Sequence, residues 1–273
     1  MRSCLVTGAT GTLGQALVRE LLAGDTERIC IYSRDEYKQF TMRHALDDPD
    51  KRLRWFIGDV RDVTRLKRAF EGVEVVIHAA AMKHVEACEG NPFEAVQTNI
   101  IGAQNVIEAA LDCGVDRVLA VSTDKAANPS TLYGATKLCA ERVFLAAKIY
   151  AGRHGAKFSC VRFGNIAFSR GSVIPKWQGI KWHGGTMVPV TDPECTRYWI
   201  TAKDASRFAI KALEFEPGQV HVHEMPAFRV RDLALAMNVE MDIKGLGPGE
   251  RLHEDGSEFA RRMTVEELRG LVT

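Results

Sequence analysis

The sequence predicts an α/β chain in which a doubly wound parallel sheet is joined by a small C-terminal lobe. Strand-like and helix-like segments alternate from the first residues to about residue 164. The strand-like segments are continuously apolar, as strands covered on both faces are. Beyond Gly164 the clean alternation stops and a different packing begins.

The elements follow in order. Cys4-Leu5-Val6 reads as a short buried strand, and residues 15–23 as a helix with Ala16, Leu17, Leu21 and Leu22 at helical spacing, stopped by Gly24. Strands follow at 29–32 and at 53–57, the latter ending in Gly58-Asp59. A helix spans 64–70 with Gly72 behind it, and a strand spans 73–78, leading into Ala79-Ala80-Ala81. Asn91-Pro92 starts a long helix that Gly114 ends. A strand at 118–121 opens into Ser122-Thr123-Asp124-Lys125, a helix covers 132–150, and a strand covers 158–162. In the second half, helices are expected at 173–182, 204–215 and 230–237, and an alternating strand at 220–223. Residues 1–164 are therefore assigned to a sheet domain and 165–273 to a smaller lobe, with some exchange of strands or helices between them. With no linker, repeat or low-complexity stretch, the lobes should be in firm contact with a cleft between them.

Composition excludes several classes. The chain has 273 residues, 46% hydrophobic and 26% charged, with a net charge of +1 and no block of like charge. Nothing in it points to nucleic acid or a membrane surface. No apolar stretch is long enough to span a bilayer, and the glycine loop follows Met1-Arg2-Ser3 too closely to leave room for a signal peptide. Cys4, Cys30, Cys88, Cys113, Cys139, Cys160 and Cys195 are odd in number and contain no Cys-x-x-Cys pair, so they read as reduced core residues of a cytoplasmic protein. His78, His84, His221 and His223 read as structural or surface residues, and no metal is assigned.

The glycine loop carries the first chemistry. Gly8-Ala9-Thr10-Gly11-Thr12-Leu13-Gly14 follows a strand and opens a helix. Glycines there allow a tight turn, close approach to a pyrophosphate, and close helix–strand packing, and the helix N-terminus offers N–H groups to the phosphates. The sheet is therefore predicted to be Rossmann-type and to bind a dinucleotide. The second strand ends Tyr32-Ser33-Arg34-Asp35, with Lys38 close by. Ser33 can donate to a 2′-phosphate and Arg34 can pair with it, which favours NADP over NAD. Asp35 keeps NAD open, and Arg34 can equally be a solvated loop cation. Asp59 could accept a bond from an adenine amino group or cap the next helix.

Tyr133 and Lys137, four apart near a helix start, share one face. A lysine there would lower the tyrosine pKa and fit it for proton transfer at an alcohol. At the end of the fifth strand, which faces the ligand crevice in such sheets, Asp124 and Lys125 can act as a second acid–base pair, with Thr123 as a hydroxyl donor. The alternative is an exposed ion pair of little consequence.

Several stretches together resemble extended short-chain dehydrogenases/reductases, and within them the inverting UDP-N-acetylglucosamine 4,6-dehydratases. They are Thr7 through Gly14, Tyr32 through Glu36, Gly58-Asp59-Val60-Arg61-Asp62, His78 through His84, Ser122 through Pro129 with Tyr133-Gly134-Ala135-Thr136-Lys137, Gly164-Asn165, Ser169 through Pro175, Thr196 through Thr201, and Pro248 through Glu254. The resemblance covers nearly the whole chain. The Thr-Asp-Lys stretch discriminates, because retaining sugar dehydratases usually carry Asp-Glu there.

The resemblance implies a reaction and a site. Tyr133, assisted by Lys137, would take the proton of the sugar 4-hydroxyl while NADP⁺ takes hydride from C4. Lys125 would be the base at C5, Asp124 would protonate the departing 6-hydroxyl, and Thr123 would orient the sugar. Hydride returns to C6, and reprotonation from the opposite face inverts C5. Val60, Ala79 and Ala80 would line the cofactor beside Gly8, Thr10, Gly11, Thr12, Leu13, Gly14, Ser33, Arg34, Lys38 and Asp59. Lys83, Asn165, Arg170, Gly171, Ser172, Val173, Arg197 and Glu250 would hold the nucleotide sugar, with Arg197 on the diphosphate. Taken alone, Arg197 reads equally as a structural ion-pair partner. A UDP-sugar and a second copy of the chain are the expected partners. The chain departs from the family at Phe168, where Gly is usual, at Gly247, where Arg is common, and in ending soon after Glu254. A UDP-sugar 4-epimerase-like enzyme and a non-catalytic dinucleotide sensor are the alternatives.

Overall fold

The computed structural model describes residues 1–152 and 155–272. The chain runs β1 (Ser3–Thr7), α1 (Thr12–Ala23), β2 (Arg28–Ser33), α2 (Glu36–Ala45), β3 (Leu53–Ile57), α3 (Val63–Phe70) and β4 (Val75–His78). It continues through α4 (Val85–Gly90), α5 (Pro92–Val96), a π-helical turn over Gln97–Ile101, α6 (Gly102–Asp112), β5 (Arg117–Thr123), a 3-10 turn over Asp124–Ala126, α7 (Leu132–Ala146), α8 (Lys148–Ala151) and β6 (Lys157–Phe163). The second half holds β7 (Asn165–Ile166), α9 (Val173–Trp182), β8 (Met187–Val190), β9 (Thr196–Ile200), α10 (Ala202–Ala212), β10 (Val220–Val222), β11 (Ala227–Arg229), α11 (Val230–Met237), β12 (Glu240–Ile243) and α12 (Val265–Val272).

The main sheet has seven strands in the order β10-β6-β5-β4-β1-β2-β3, and its pairings are parallel. The central strands are mostly apolar because they serve two cores. Cys4 and Val6 of β1, Ile29 and Ile31 of β2, and Val75 and Ile77 of β4 enter the core under α1 and α10. The intervening Leu5, Cys30, Tyr32 and Val76 enter the opposite core with residues of α3, α6 and α7. Successive side chains point to opposite faces of a strand, so one run of sequence fills both layers.

The second half contributes both to the sheet and to a lobe. Its strand β10 is the edge strand of the main sheet beside β6, and α10 packs on α1. The rest builds a third core around Trp177, Val188, Trp199, Phe228, Leu233 and Leu268. That lobe carries a three-stranded sheet, β11-β9-β7, and a two-stranded one, β12-β8.

Several elements differ from expectation, two of them for reasons the structure makes plain. Helix α2 was not expected, since only Gln39 and Met42 of it are buried and it shows no apolar stripe; it is started by Asp35, whose carboxylate accepts from the Lys38 N–H. The long helix expected from residue 92 is interrupted by the π turn, where Asn99 is buried. Its Oδ1 accepts from Met82 N at 2.8 Å, and its amide donates to Met82 O at 2.9 Å and Thr136 Oγ1 at 3.0 Å. That turn therefore ties the loop after β4 to α7. Among the cysteines, Cys4, Cys30, Cys88, Cys160 and Cys195 are buried, but Cys139 is exposed on α7 and Cys113 is partly so. No helix among the described residues is long and apolar enough to cross a membrane.

Candidate active site

Strand order reverses between β1 and β4, and a ligand crevice forms at such a switch point, outside the carboxyl ends of the strands. The glycine loop lies there. Gly8 adopts a φ of +67°, and a Cβ on it would stand 2.8 Å from the backbone of Ala80. A Cβ on Gly14 would stand 2.4 Å from the Gly8 carbonyl oxygen. Only glycine lets the loop, the start of α1 and the chain after β4 approach this closely. Gly11 is the N-cap of α1 and supplies no side-chain cap, so the first-turn N–H groups stay available to an anion. This cradle fits the pyrophosphate of a dinucleotide. Thr10 is buried beside it, whereas Leu13 and Val60 point their side chains into the cores.

At the end of β2 the expected residues separate by role. The Ser33 hydroxyl is buried and accepts from Gln39 Nε2 at 3.1 Å. Arg34 is 62% exposed and meets Asp59 at 3.5 Å. Asp35 accepts from the backbone N–H of Lys38 and pairs with its ammonium. Asp59 accepts from the N–H and guanidinium of Arg61. The helix-capping use considered for Asp59 falls instead to Asp62, whose side chain accepts from Arg65 N.

The end of β5 brings the second group together. Asp124 Oδ1 accepts from Thr123 Oγ1 at 2.8 Å, from Lys125 N at 2.9 Å and from Lys125 Nζ at 3.3 Å. Its other oxygen, Oδ2, is buried with no hydrogen-bond partner among the described residues. The side chain of Asp124 is 5% exposed, so the alternative of an exposed ion pair does not hold. Lys125 Nζ also reaches Glu254 Oε1 at 3.0 Å and Asn165 Oδ1 at 3.4 Å. Burial disfavours its ammonium, but Asp124 and Glu254 outweigh burial and hold it charged, above the usual lysine range.

Thr131 caps α7 through Gly134 N, which places Tyr133 in the first turn of α7, beside β5's end. Burial pushes its phenol up to about 12, against the pull of the Lys125 charge and a Thr123 hydrogen bond. Lys137, the expected source of the lowering charge, is buried, donates from Nζ to Val121 O at 2.8 Å, and is itself pushed down by desolvation.

The lobe residues divide as well. Arg170 lies on the glycine loop, donating from Nη2 to Thr10 O at 3.0 Å and from its backbone to Thr12 Oγ1 at 3.4 Å, and Lys83 Nζ holds its carbonyl at 2.9 Å. Gly171 has a φ of +75°, and a Cβ there would meet the His84 ring at 2.3 Å. The Ser172 hydroxyl, just before α9, is buried without a partner, and Val173 packs on the lobe core. Arg197 donates to the carbonyls of Thr196, Leu252 and Arg251 and stands 3.5 Å from Glu254, so the ion-pair role is the arrangement found. Exposed Glu250 accepts from Gly247 N at 2.8 Å. Phe168 has a φ of +56° and packs edge-on against Trp199. Two site residues escaped sequence reasoning. Asn99 could have been noticed as a polar residue inside an apolar helix; Glu254 ends a motif whose contacts are set only by folding.

Comparisons with known proteins identify its relatives. A model of the polysaccharide biosynthesis protein family matches residues 4–265. The chain is 44% identical over 257 residues to the inverting UDP-N-acetylglucosamine 4,6-dehydratase of Campylobacter jejuni subsp. jejuni serotype O:2, spanning 93% of this chain and 76% of that protein. It is 36% identical over 281 residues to the UDP-glucose 4-epimerase of Rickettsia conorii, spanning 98% and 81%. Among solved structures, Pen from Bacillus thuringiensis matches with a TM-score of 0.92 at 34% identity, covering 99% of this chain and 98% of Pen.

Proposed function

The chain belongs to the polysaccharide biosynthesis protein family, with extended short-chain dehydrogenase/reductase architecture, and on that premise we propose that it catalyses the NADP-dependent, C5-inverting 4,6-dehydration of a UDP-sugar. UDP-N-acetylglucosamine is the substrate favoured by its dehydratase relative, and a UDP-4-keto-6-deoxy-L-hexose for glycan synthesis is the product. The observation that carries this reading is the buried Thr123-Asp124-Lys125 cluster beside Tyr133. Oxidation or epimerisation at C4 needs one proton-transfer group; elimination also needs a base at C5 and an acid at the leaving 6-hydroxyl, and Lys125 and Asp124 would supply them.

The cofactor's pyrophosphate would lie on the glycine loop, and its 2′-phosphate would meet Ser33 and Arg34. Asp35, with both carboxylate oxygens engaged by Lys38, has little left for a ribose hydroxyl, which supports NADP over NAD. When bound, the nicotinamide accepts hydride from C4 and returns it at C6. Tyr133 takes the proton of the 4-hydroxyl. The 4-keto group acidifies the C5 proton, which Lys125 removes in its neutral form. Asp124 protonates the leaving 6-hydroxyl through Oδ2, the oxygen with no hydrogen-bond partner among the described residues.

Incubation with UDP-N-acetylglucosamine and NADP⁺ should give a product lighter by one water on mass spectrometry. A Lys125→Ala variant should lose that product, with turnover down by about 10³-fold, while still binding NADP⁺. A product of unchanged mass would indicate the 4-epimerase activity named for the Rickettsia relative, and full turnover by Lys125→Ala would remove Lys125 from its role.

A further inference from the structure

A second carboxylate, beside Asp124, stands at the centre of the site without an assigned task. Glu254 is 8% exposed. The segment that carries it is pinned to β9: Thr196 N donates to Leu252 O at 2.9 Å, Glu254 N donates to Thr196 O at 3.4 Å, and Thr196 Oγ1 bonds His253 Nδ1 at 2.8 Å and Ser257 Oγ at 2.6 Å. One oxygen of Glu254 then meets two cations, Lys125 Nζ at 3.0 Å and Arg197 Nε at 3.5 Å. Arg197 is itself fixed by backbone carbonyls of Thr196, Arg251 and Leu252. Glu254 is therefore a rigid prop that reaches from the lobe to the end of β5.

The groups around the Lys125 amine come from every element packed there. Asp124 belongs to its own turn, Tyr133 to α7, Asn165 to β7, and Glu254 with Arg197 to the lobe. A half-buried ammonium between two carboxylates keeps its proton, yet a base at C5 must first lose it. We propose that Glu254 is a positioning residue for Lys125, fixing the amine at the mouth of β5 and governing when it releases its proton. The inference rests on Lys125 being the C5 base. In the step itself, Lys125 gives its proton to solvent and the neutral amine takes the C5 proton. The C5–H electron pair becomes the C5–C6 double bond as the C6–O bond breaks, and the oxygen takes the Asp124 proton and leaves as water.

The test is the pH profile of C5 proton exchange, followed by NMR with UDP-N-acetylglucosamine in deuterated water, for the wild type and Glu254→Gln. Removing the charge at constant shape should move the acid limb at least one pH unit lower. One unit below the wild-type midpoint, the rate relative to its own plateau should then rise about fivefold. NADP⁺ binding should be retained. Glu254→Asp, with its carboxylate drawn back by one methylene, should place the limb between the two. A purely structural residue would change the plateau and leave the limb in place, and an unshifted limb in Glu254→Gln overturns the proposal. If Glu254→Gln does not fold, the limb of Glu254→Asp decides by the same criterion. A wild type that exchanges C5 at no pH removes Lys125 as the base; wild-type exchange with an unshifted variant limb removes only the role of Glu254.

Discussion

Arg34 and Asp35 are neighbours at the end of β2, and the fold gives them different tasks. Asp35 starts α2 and pairs with Lys38, whereas Arg34 reaches outward with only a loose contact to Asp59. An exposed guanidinium beside a phosphate contributes about 1.4 kcal/mol, or about tenfold in affinity. Arg34→Ala should therefore raise the Kd for NADP⁺ about tenfold and leave that for NAD⁺ unchanged, as isothermal titration calorimetry would show. Equal weakening of both would place Arg34 away from the 2′-phosphate. Much at this scale was legible in the sequence. The glycine loop, the Thr-Asp-Lys stretch and the Tyr-x-x-x-Lys pair are local patterns, and the fold gathers them around one crevice. The surroundings of Tyr133 were less legible. Spacing on a helix puts Lys137 on the same face, but only the fold shows that its ammonium meets the Val121 carbonyl and that the Lys125 charge also acts on the phenol.

At the scale of elements, the chain between β7 and α9 holds a conflict between sequence and backbone. Phe168 sits at a φ of +56°, a left-handed conformation that costs a bulky residue about 1 kcal/mol. Its ring nonetheless packs edge-on against Trp199. Truncation separates the two effects. Phe168→Ala loses the ring contact and keeps the strain; Phe168→Gly loses the contact and relieves the strain. The glycine variant should be the more stable by about 1 kcal/mol, the reverse of the usual order, and urea unfolding of the pair would show it. An alanine variant as stable as the glycine one would mean that the strain is absent. The same scale explains which elements could be read in advance. Strands β1, β2, β4, β5 and β6 are mostly apolar runs buried in the sheet, whereas β7, β8, β11 and β12 are short and defined by distant partners, such as the pairing of β8 with β12. A strand of a few residues with one partner leaves little periodicity to find.

Across the whole molecule, the two parts meet through specific contacts as well as apolar packing. Arg170 carries the lobe onto the glycine loop, Glu254 carries it onto Lys125, and Arg207 of α10 pairs with Glu20 of α1. The segment holding Arg170 thus reaches the loop after β1, and the segment holding Glu254 reaches the end of β5. Under the proposed function, a substrate held by the lobe would be presented to groups anchored in the sheet, which is how a fixed constellation lowers a barrier by orientation. The exchange of β10 and α10 into the sheet side follows from the same need for a covered edge, since β6 would otherwise end the sheet. Some exchange of this kind was expected, but which elements cross could not be read from local pattern, because the amphipathic helix at 202–212 carries no mark of which layer it covers.

The central claim is that this site eliminates water across C5 and C6 and inverts C5. NMR of the wild-type protein with UDP-N-acetylglucosamine and NADP⁺ in deuterated water tests it most directly. The account predicts a 4-keto-6-deoxy product carrying deuterium at C5 in the L configuration, with the cofactor unchanged in total at the end. A product that keeps its C5 proton, its water and its D configuration would contradict it.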